Sequence, residues 1–171
     1  MKIQKRRRRK YKTDYKTRVN LLKKGIPRIV IRKTNKYITA QYVESKKAQD
    51  KILIGVSSRD LLKYGWPKEA VGSLKSIPAS YLTGVLLGTK IKKLKTTKEK
   101  EKSLEKIESL LDIGLLRNKP KGRIYAVLKG LVDFEIKINH KKESLPEEKK
   151  VLGENLKNKI DIQKIKNKII E

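Results

Sequence analysis

The sequence has no cysteine, a single histidine and few acids: 18 Asp and Glu stand against 46 Lys and Arg. Without Cys there is no disulfide, no thiolate nucleophile and no zinc site of the usual cysteine-bearing kinds. His140 stands alone, so no paired-histidine metal motif exists, and no glycine-rich loop has Walker spacing. No run of 18 or more apolar residues occurs, so nothing reads as a membrane span. The basic start of the chain is not followed by an apolar segment and does not read as a secretory signal. A soluble intracellular protein without cofactor, metal or small-molecule substrate fits these absences.

What is present is positive charge. The net charge is +28 over 171 residues, with 37% apolar residues in periodic runs. One core domain with extensions fits that length. A charge this large repels itself in the compact state and attracts polyanions, either nucleic acid or an anionic membrane. It is also uneven. Residues 1–38 hold sixteen Lys and Arg and one acid, Asp14.

"MKIQKRRRRKYK" has no apolar period and reads as an extended arm, since the cations Arg6, Arg7, Arg8, Arg9 and Lys10 cannot pack together. In "TDYKTRVNLLKKG", Thr13 or Asp14 N-caps a short helix that Gly25 and Pro27 stop. Three strands follow: Arg28 to Lys33, Tyr37 to Val43, and, after the polar loop "ESKKAQD", Ile52 to Val56. Their short separations predict an antiparallel meander. "SSRDLLKYGWP" reads as one helical turn closing at Gly65, with a loop to Ile77 and Trp66 as a core anchor. "PASYLTGVLLGTKIKKL" is a helix with Pro78 in its first turn. Its stripe Ser80, Gly84, Gly88 implies close backbone approach to a sheet. "KTTKEKEKSLEKIE" reads as a helix end and linker, Leu110 to Ile113 as a buried strand, and "RIYAVLKGLVDFEIKIN" as a helix with Ile124, Val127, Leu128 and Leu131 inward. In the tail, Ile162, Ile165 and Ile169 line one helix face. The whole is an α/β layer fold around a mixed sheet. The expected division is a basic arm and short helix (1–27), an α/β core (28–138) and a C-terminal extension with helical segments (139–171).

The strand "RIVIRK" ends in a cationic corner. If strands one and two pair, Arg32, Lys33, Asn35, Lys36 and Tyr37 gather at one end of the sheet. Arg offers bidentate contacts to phosphate or guanine. Asn35 holds the turn or meets a base edge. Tyr37 stacks on an unpaired base or packs on the sheet, and Tyr15 packs its helix or stacks. The arm is a solvated or targeting tail, or a neutraliser of phosphates that orders on binding.

The motifs "TDYKTR", "LLKKGIPRIVIRKTNKYITAQ", "KYGW", "PASYLTGVLLG", "LLDIGL", "AVLKGLVD" and "LPEEKKVLGENL", in this order from about residue 5 to 156, resemble one family. It is the archaeal and eukaryotic form of large-subunit ribosomal protein eighteen, the 5S-rRNA-binding family whose eukaryotic counterpart is large-subunit protein five. The archaeal form fits better. This chain departs from the family at Glu135, where a glycine is usual, and at Asn139-His140, where Pro-His is usual. The resemblance implies a mixed sheet flanked by helices in a ribonuclease-H-like arrangement. It implies a cytoplasmic ribosomal protein that binds 5S rRNA in the central protuberance and helps attach it to large-subunit rRNA and neighbouring ribosomal proteins. It turns Arg18, Arg28, Arg32, Lys33, Asn35, Lys36 and Tyr37 toward RNA contact, and the expected contact set adds Arg6 to Arg9, Lys10, Tyr15 and Lys24. A nuclease of that fold needs clustered carboxylates, one on its first strand, and "RIVIR" has none; Asp60, Asp112, Asp133 and Glu135 are the remaining acids considered, and no catalytic site is expected. A generic nucleic-acid-compacting or membrane-surface protein is the alternative that charge alone permits.

Overall fold

The computed structural model describes residues 4–47, 49–98, 108–154 and 160–170. The arm is not fully extended. Arg6–Arg9 form a single helical turn, α1, closed by Arg9 N–H to Lys5 O and Lys10 N–H to Arg6 O, with Tyr11 in the left-handed region at φ 49°. Arg is a good helix former, and a turn satisfies the backbone while all four side chains stay exposed. The second helix, α2 (Tyr15–Lys23), begins at Asp14, whose carboxylate accepts from Lys16 N, Thr17 N and Thr17 Oγ1. These bonds, led by the Thr17 hydroxyl, hold the Asp14 carboxyl below its ordinary pKa. Gly25 ends the segment at φ 64°.

A four-stranded sheet follows in the order β3-β2-β1-β4. Strand β1 (Arg28–Lys33) runs antiparallel to β2 (Ile38–Lys46), β2 antiparallel to β3 (Gln49–Ser57), and β4 (Leu110–Asp112) parallel to β1. The expected loop "ESKKAQD" is mostly strand. Glu44 faces Lys51 and Ser45 faces Asp50 across the ladder, so opposite charge and a hydroxyl–carboxylate bond extend the hairpin beyond its apolar part.

Period-two alternation sorts the residues of β1. Ile29 and Ile31 face inward with Ile38, Ala40, Tyr42 and Val56. Arg28, Val30 and Arg32 share the opposite face. Helix α3 (Ile77–Lys98) lies on the apolar side against β2 and β3. The stretch expected to be one turn and a loop holds two 3₁₀ segments, Ser58–Tyr64 and Lys68–Ser73, the first capped reciprocally by Ser57 and Asp60. Trp66 is buried and donates its indole N–H to Ala70 O.

The small-residue stripe of α3 meets a helix, not the sheet. A Cβ built on Gly84 would overlap the Val127 carbonyl of α4 (Arg123–Val132), and one on Gly130 of α4 would overlap the Tyr81 carbonyl of α3. Gly88 lies against Phe134. Helix α4 stops at Val132, short of the expected end near Asn139. Ile136 and Ile138 are buried while Lys137 and Asn139 are exposed, a strand-like alternation, and Lys137 bridges in parallel to Glu108. The tail holds α5 (Glu148–Leu152) and α6 (Ile162–Ile170), and α6 packs Ile162, Ile165 and Ile169 into the core beside α3. Residues 99–107, most of the expected linker, lie outside the described residues.

Candidate nucleic-acid interface

The tip joining β1 to β2 is a four-residue corner, Thr34 to Tyr37. Thr34 holds it. Its N–H and hydroxyl both donate to Tyr37 O, at 2.9 and 2.8 Å, and its Oγ1 accepts from Tyr37 N. The turn role open to Asn35 thus belongs to Thr34, and Asn35 is exposed with Lys33 and Lys36. Tyr37 is half-buried, and the Arg59 guanidinium sits 5.8 Å from its ring centroid, within cation–π range. Arg59, from the 3₁₀ turn after β3, joins the tip only in three dimensions, and sequence reading missed it.

Behind the tip runs a chain of ion pairs on the face opposite the core. Asp112 of β4 stands in register with Val30, hence between Arg28 and Arg32 of β1. Its Oδ2 accepts from Arg28 at 2.9 Å; its Oδ1 accepts from Arg32 at 3.2 Å and from Gly114 N at 2.9 Å. Arg28 also donates to Asp50 at 2.6 Å and to Ser45 at 3.0 Å. Asp50 in turn accepts from Arg18 of α2 at 2.9 Å. The order Arg18–Asp50–Arg28–Asp112–Arg32 thus links α2, β3, β1 and β4. Burial alone would raise the Asp50 carboxyl. Hydrogen bonds from Ser45 and Arg28 and the charges of Arg28 and Arg18 outweigh it and hold the group below its ordinary value.

The sequence-predicted residues therefore divide. Arg6 to Arg9, Lys10, Lys24, Lys33, Asn35 and Lys36 are exposed. Arg7 also donates to Thr13 Oγ1. Tyr15 is half-buried under the Lys5 ammonium, 4.9 Å from its ring centroid. The Arg18 and Arg32 side chains remain 38% and 45% exposed while paired. Arg28 is 2% exposed and engaged by two carboxylates, so it belongs to the fold and not to an outward surface. Arg7, Lys12, Arg18 and Arg32 line a cleft whose other wall is Asp112 to Leu116.

The remaining carboxylates weighed for catalysis have protein partners. Asp60 caps a turn through Ser57 N, Asp133 accepts from the Tyr81 hydroxyl at 2.6 Å, and Glu135 pairs with Lys92. The buried Tyr81 phenol is pushed well above its ordinary pKa by desolvation and by Asp133. Among the described residues no three His, Cys, Asp or Glu side chains gather as a metal site, and no helix is long and apolar enough to cross a membrane.

Comparison with known proteins agrees on one family. Residues 1–141 match the family described as ribosomal large subunit proteins 60S L5 and 50S L18. The large ribosomal subunit protein uL18 of Korarchaeum cryptofilum is 40% identical over 155 residues, 91% of this chain and 72% of that protein. The protein of the same name from Methanoregula boonei is 38% identical over 151 residues, 88% of this chain and 79% of that one. That of Methanoculleus marisnigri is 39% identical over 148 residues, 86% and 77% respectively.

Proposed function

This chain belongs to that family of large-subunit ribosomal proteins, in its archaeal form, and we propose that within the subunit it binds 5S rRNA and helps attach it to the large-subunit rRNA. Membership makes it a structural ribosomal component and not an enzyme, placed with the ribosome in the cytoplasm. The finer reading includes a seat in the central protuberance beside neighbouring ribosomal proteins, and a ribonuclease-H-like arrangement of the sheet. The proposed division remains an arm and short helix over 1–27, a core over 28–138 and an extension over 139–171.

The observation that carries the RNA reading is the tip. Lys33, Asn35 and Lys36 project from a corner fixed by Thr34, on strands whose apolar side chains lie in the core. The backbone of the mount is held by the Thr34 bonds, so less of it has to be ordered when its cations meet phosphates. Tyr37 and Arg59 beside them offer a ring and a guanidinium plane for an unpaired base, the usual target of sequence-specific RNA recognition. The proposed contact set is Arg6 to Arg9, Lys10, Tyr15, Arg18, Lys24, Arg32, Lys33, Asn35, Lys36, Tyr37 and, newly, Arg59. It omits Arg28. Arg32 serves both the tip and Asp112, so the cleaner test is Lys33→Ala with Lys36→Ala. This double variant should fold normally and bind 5S rRNA more weakly, with a salt slope shallower by about 0.7–0.9 per lost phosphate contact. Unchanged affinity and slope would refute the role of the tip.

A further inference from the structure

We infer that Asp50 is a positioning residue for RNA binding: an acid in a polycation that strengthens its hold on a polyanion. The inference rests on the proposed RNA reading and concerns how the arm is aimed. Helix α2 has nine residues, none of them buried. A helix of that length is marginal in water without a surface to lie on. Leu21 and Leu22 are half-buried, and an ion pair ties the helix to the sheet. Arg18 donates to Asp50 Oδ2 at 2.9 Å. The other oxygen of Asp50 is held from the protein side, by Ser45 Oγ at 2.6 Å and Arg28 at 2.6 Å. Arg28 is itself fixed by Asp112. The polar anchor for α2 is therefore a carboxylate whose orientation is set by a buried guanidinium.

The consequence is an effect of opposite sign to simple electrostatics. Asp50→Asn raises the net charge from +28 to +29. Charge alone then predicts tighter binding to RNA. The structure predicts weaker binding. The amide still accepts from Arg28, but the charge that holds Arg18 is gone, so α2 and the arm before it lose their fixed direction. Ordering them on RNA then opposes binding. Arg18 stays 38% exposed while paired, so the docked helix leaves part of its side chain within reach of a phosphate.

The test uses the full chain as wild type, Asp50→Asn and Asp50→Glu, with two readouts. Amide hydrogen exchange of residues 15–23 is measured without RNA, and 5S rRNA affinity is measured across a salt series, with Trp66 fluorescence confirming a folded core. Asp50→Asn should exchange faster in α2 and bind about tenfold more weakly, the scale of one lost charge-assisted contact. Asp50→Glu, which keeps the charge, should recover most of both. Unchanged exchange in α2, or affinity equal to or above wild type, overturns the inference. Faster exchange together with no wild-type preference for 5S rRNA over tRNA would leave Asp50 as the anchor of the arm and overturn the choice of RNA instead.

Discussion

Arg28 donates to the Asp112 carboxylate at 2.9 Å across 84 positions of sequence, in the interior of a protein of net charge +28. The pair joins the first and fourth strands, which run parallel, and it fixes two further arginines through shared carboxylates. Arg32 is held by Asp112 and Arg18 by Asp50. Scarce acids are placed where they orient cations, and the outward charge is left unneutralised for a partner.

The buried link should dominate stability. Arg28→Ala leaves Asp112 and Asp50 facing each other's charge with less compensation, and breaking a buried pair from one side costs about 3–5 kcal/mol. Urea unfolding followed at Trp66 measures it. A loss under about 1 kcal/mol, the range of exposed pairs, would contradict the burial argument.

Gly84→Ala should destabilise by about 1–3 kcal/mol, the usual scale of overpacking, because a Cβ there meets the Val127 carbonyl. Gly72→Ala, where a Cβ meets nothing within 4 Å, is the matched control. Equal effects in thermal melts would mean that the α3–α4 approach is not what the glycine serves.

Glu135 has φ 62°, a left-handed conformation that glycine adopts without strain. Its bond to Lys92 is at the surface, with the Glu side chain 81% exposed, and contributes little. Glu135→Gly should therefore raise stability by about 0.5–1 kcal/mol, the net of relieved strain and lost charge pairing. A fall in denaturation midpoint would count against the strain.

Asp50 predicts an acid dependence. Its folded pKa lies below the unfolded value of 3.8, so its contribution is fully present above that value and is lost as pH falls through the lower folded one. The stability curve of Asp50→Asn should be flatter on this acid limb than wild type. Parallel limbs would show that other carboxylates carry the dependence.

The elements were largely legible in the sequence, because β1 and the inward faces of α4 and α6 follow simple periods: Ile29 and Ile31, then Ile124, Val127, Leu128 and Leu131, then Ile162, Ile165 and Ile169. Failures came where a local pattern admits two partners. The stripe Ser80, Gly84, Gly88 says that something approaches closely, but only tertiary packing says that it is α4. The polar hairpin extension from Glu44 to Lys51 has no apolar alternation, and its support is cross-strand. At the tip, the exposure of Lys33 and Lys36 was readable because their neighbours change from apolar to cationic at the end of a strand. The burial of Arg28 was not legible, because its sequence neighbours say nothing of Asp50 and Asp112. A signal did exist. An acid inside "LLDIGL" and a base opening "RIVIR" are both costly in a core unless paired. The glycine that the resemblance leads one to expect at the position of Glu135 also matches the left-handed backbone found there.

The most direct measurement is the affinity of the purified wild-type protein for 5S rRNA, against tRNA and duplex DNA of similar length, across a salt series. The account predicts a preference for 5S rRNA that persists at moderate salt, where shape and base contacts at the tip add to phosphate neutralisation. Equal affinities that collapse together as salt rises would contradict it, leaving a polycation with no recognition of its own.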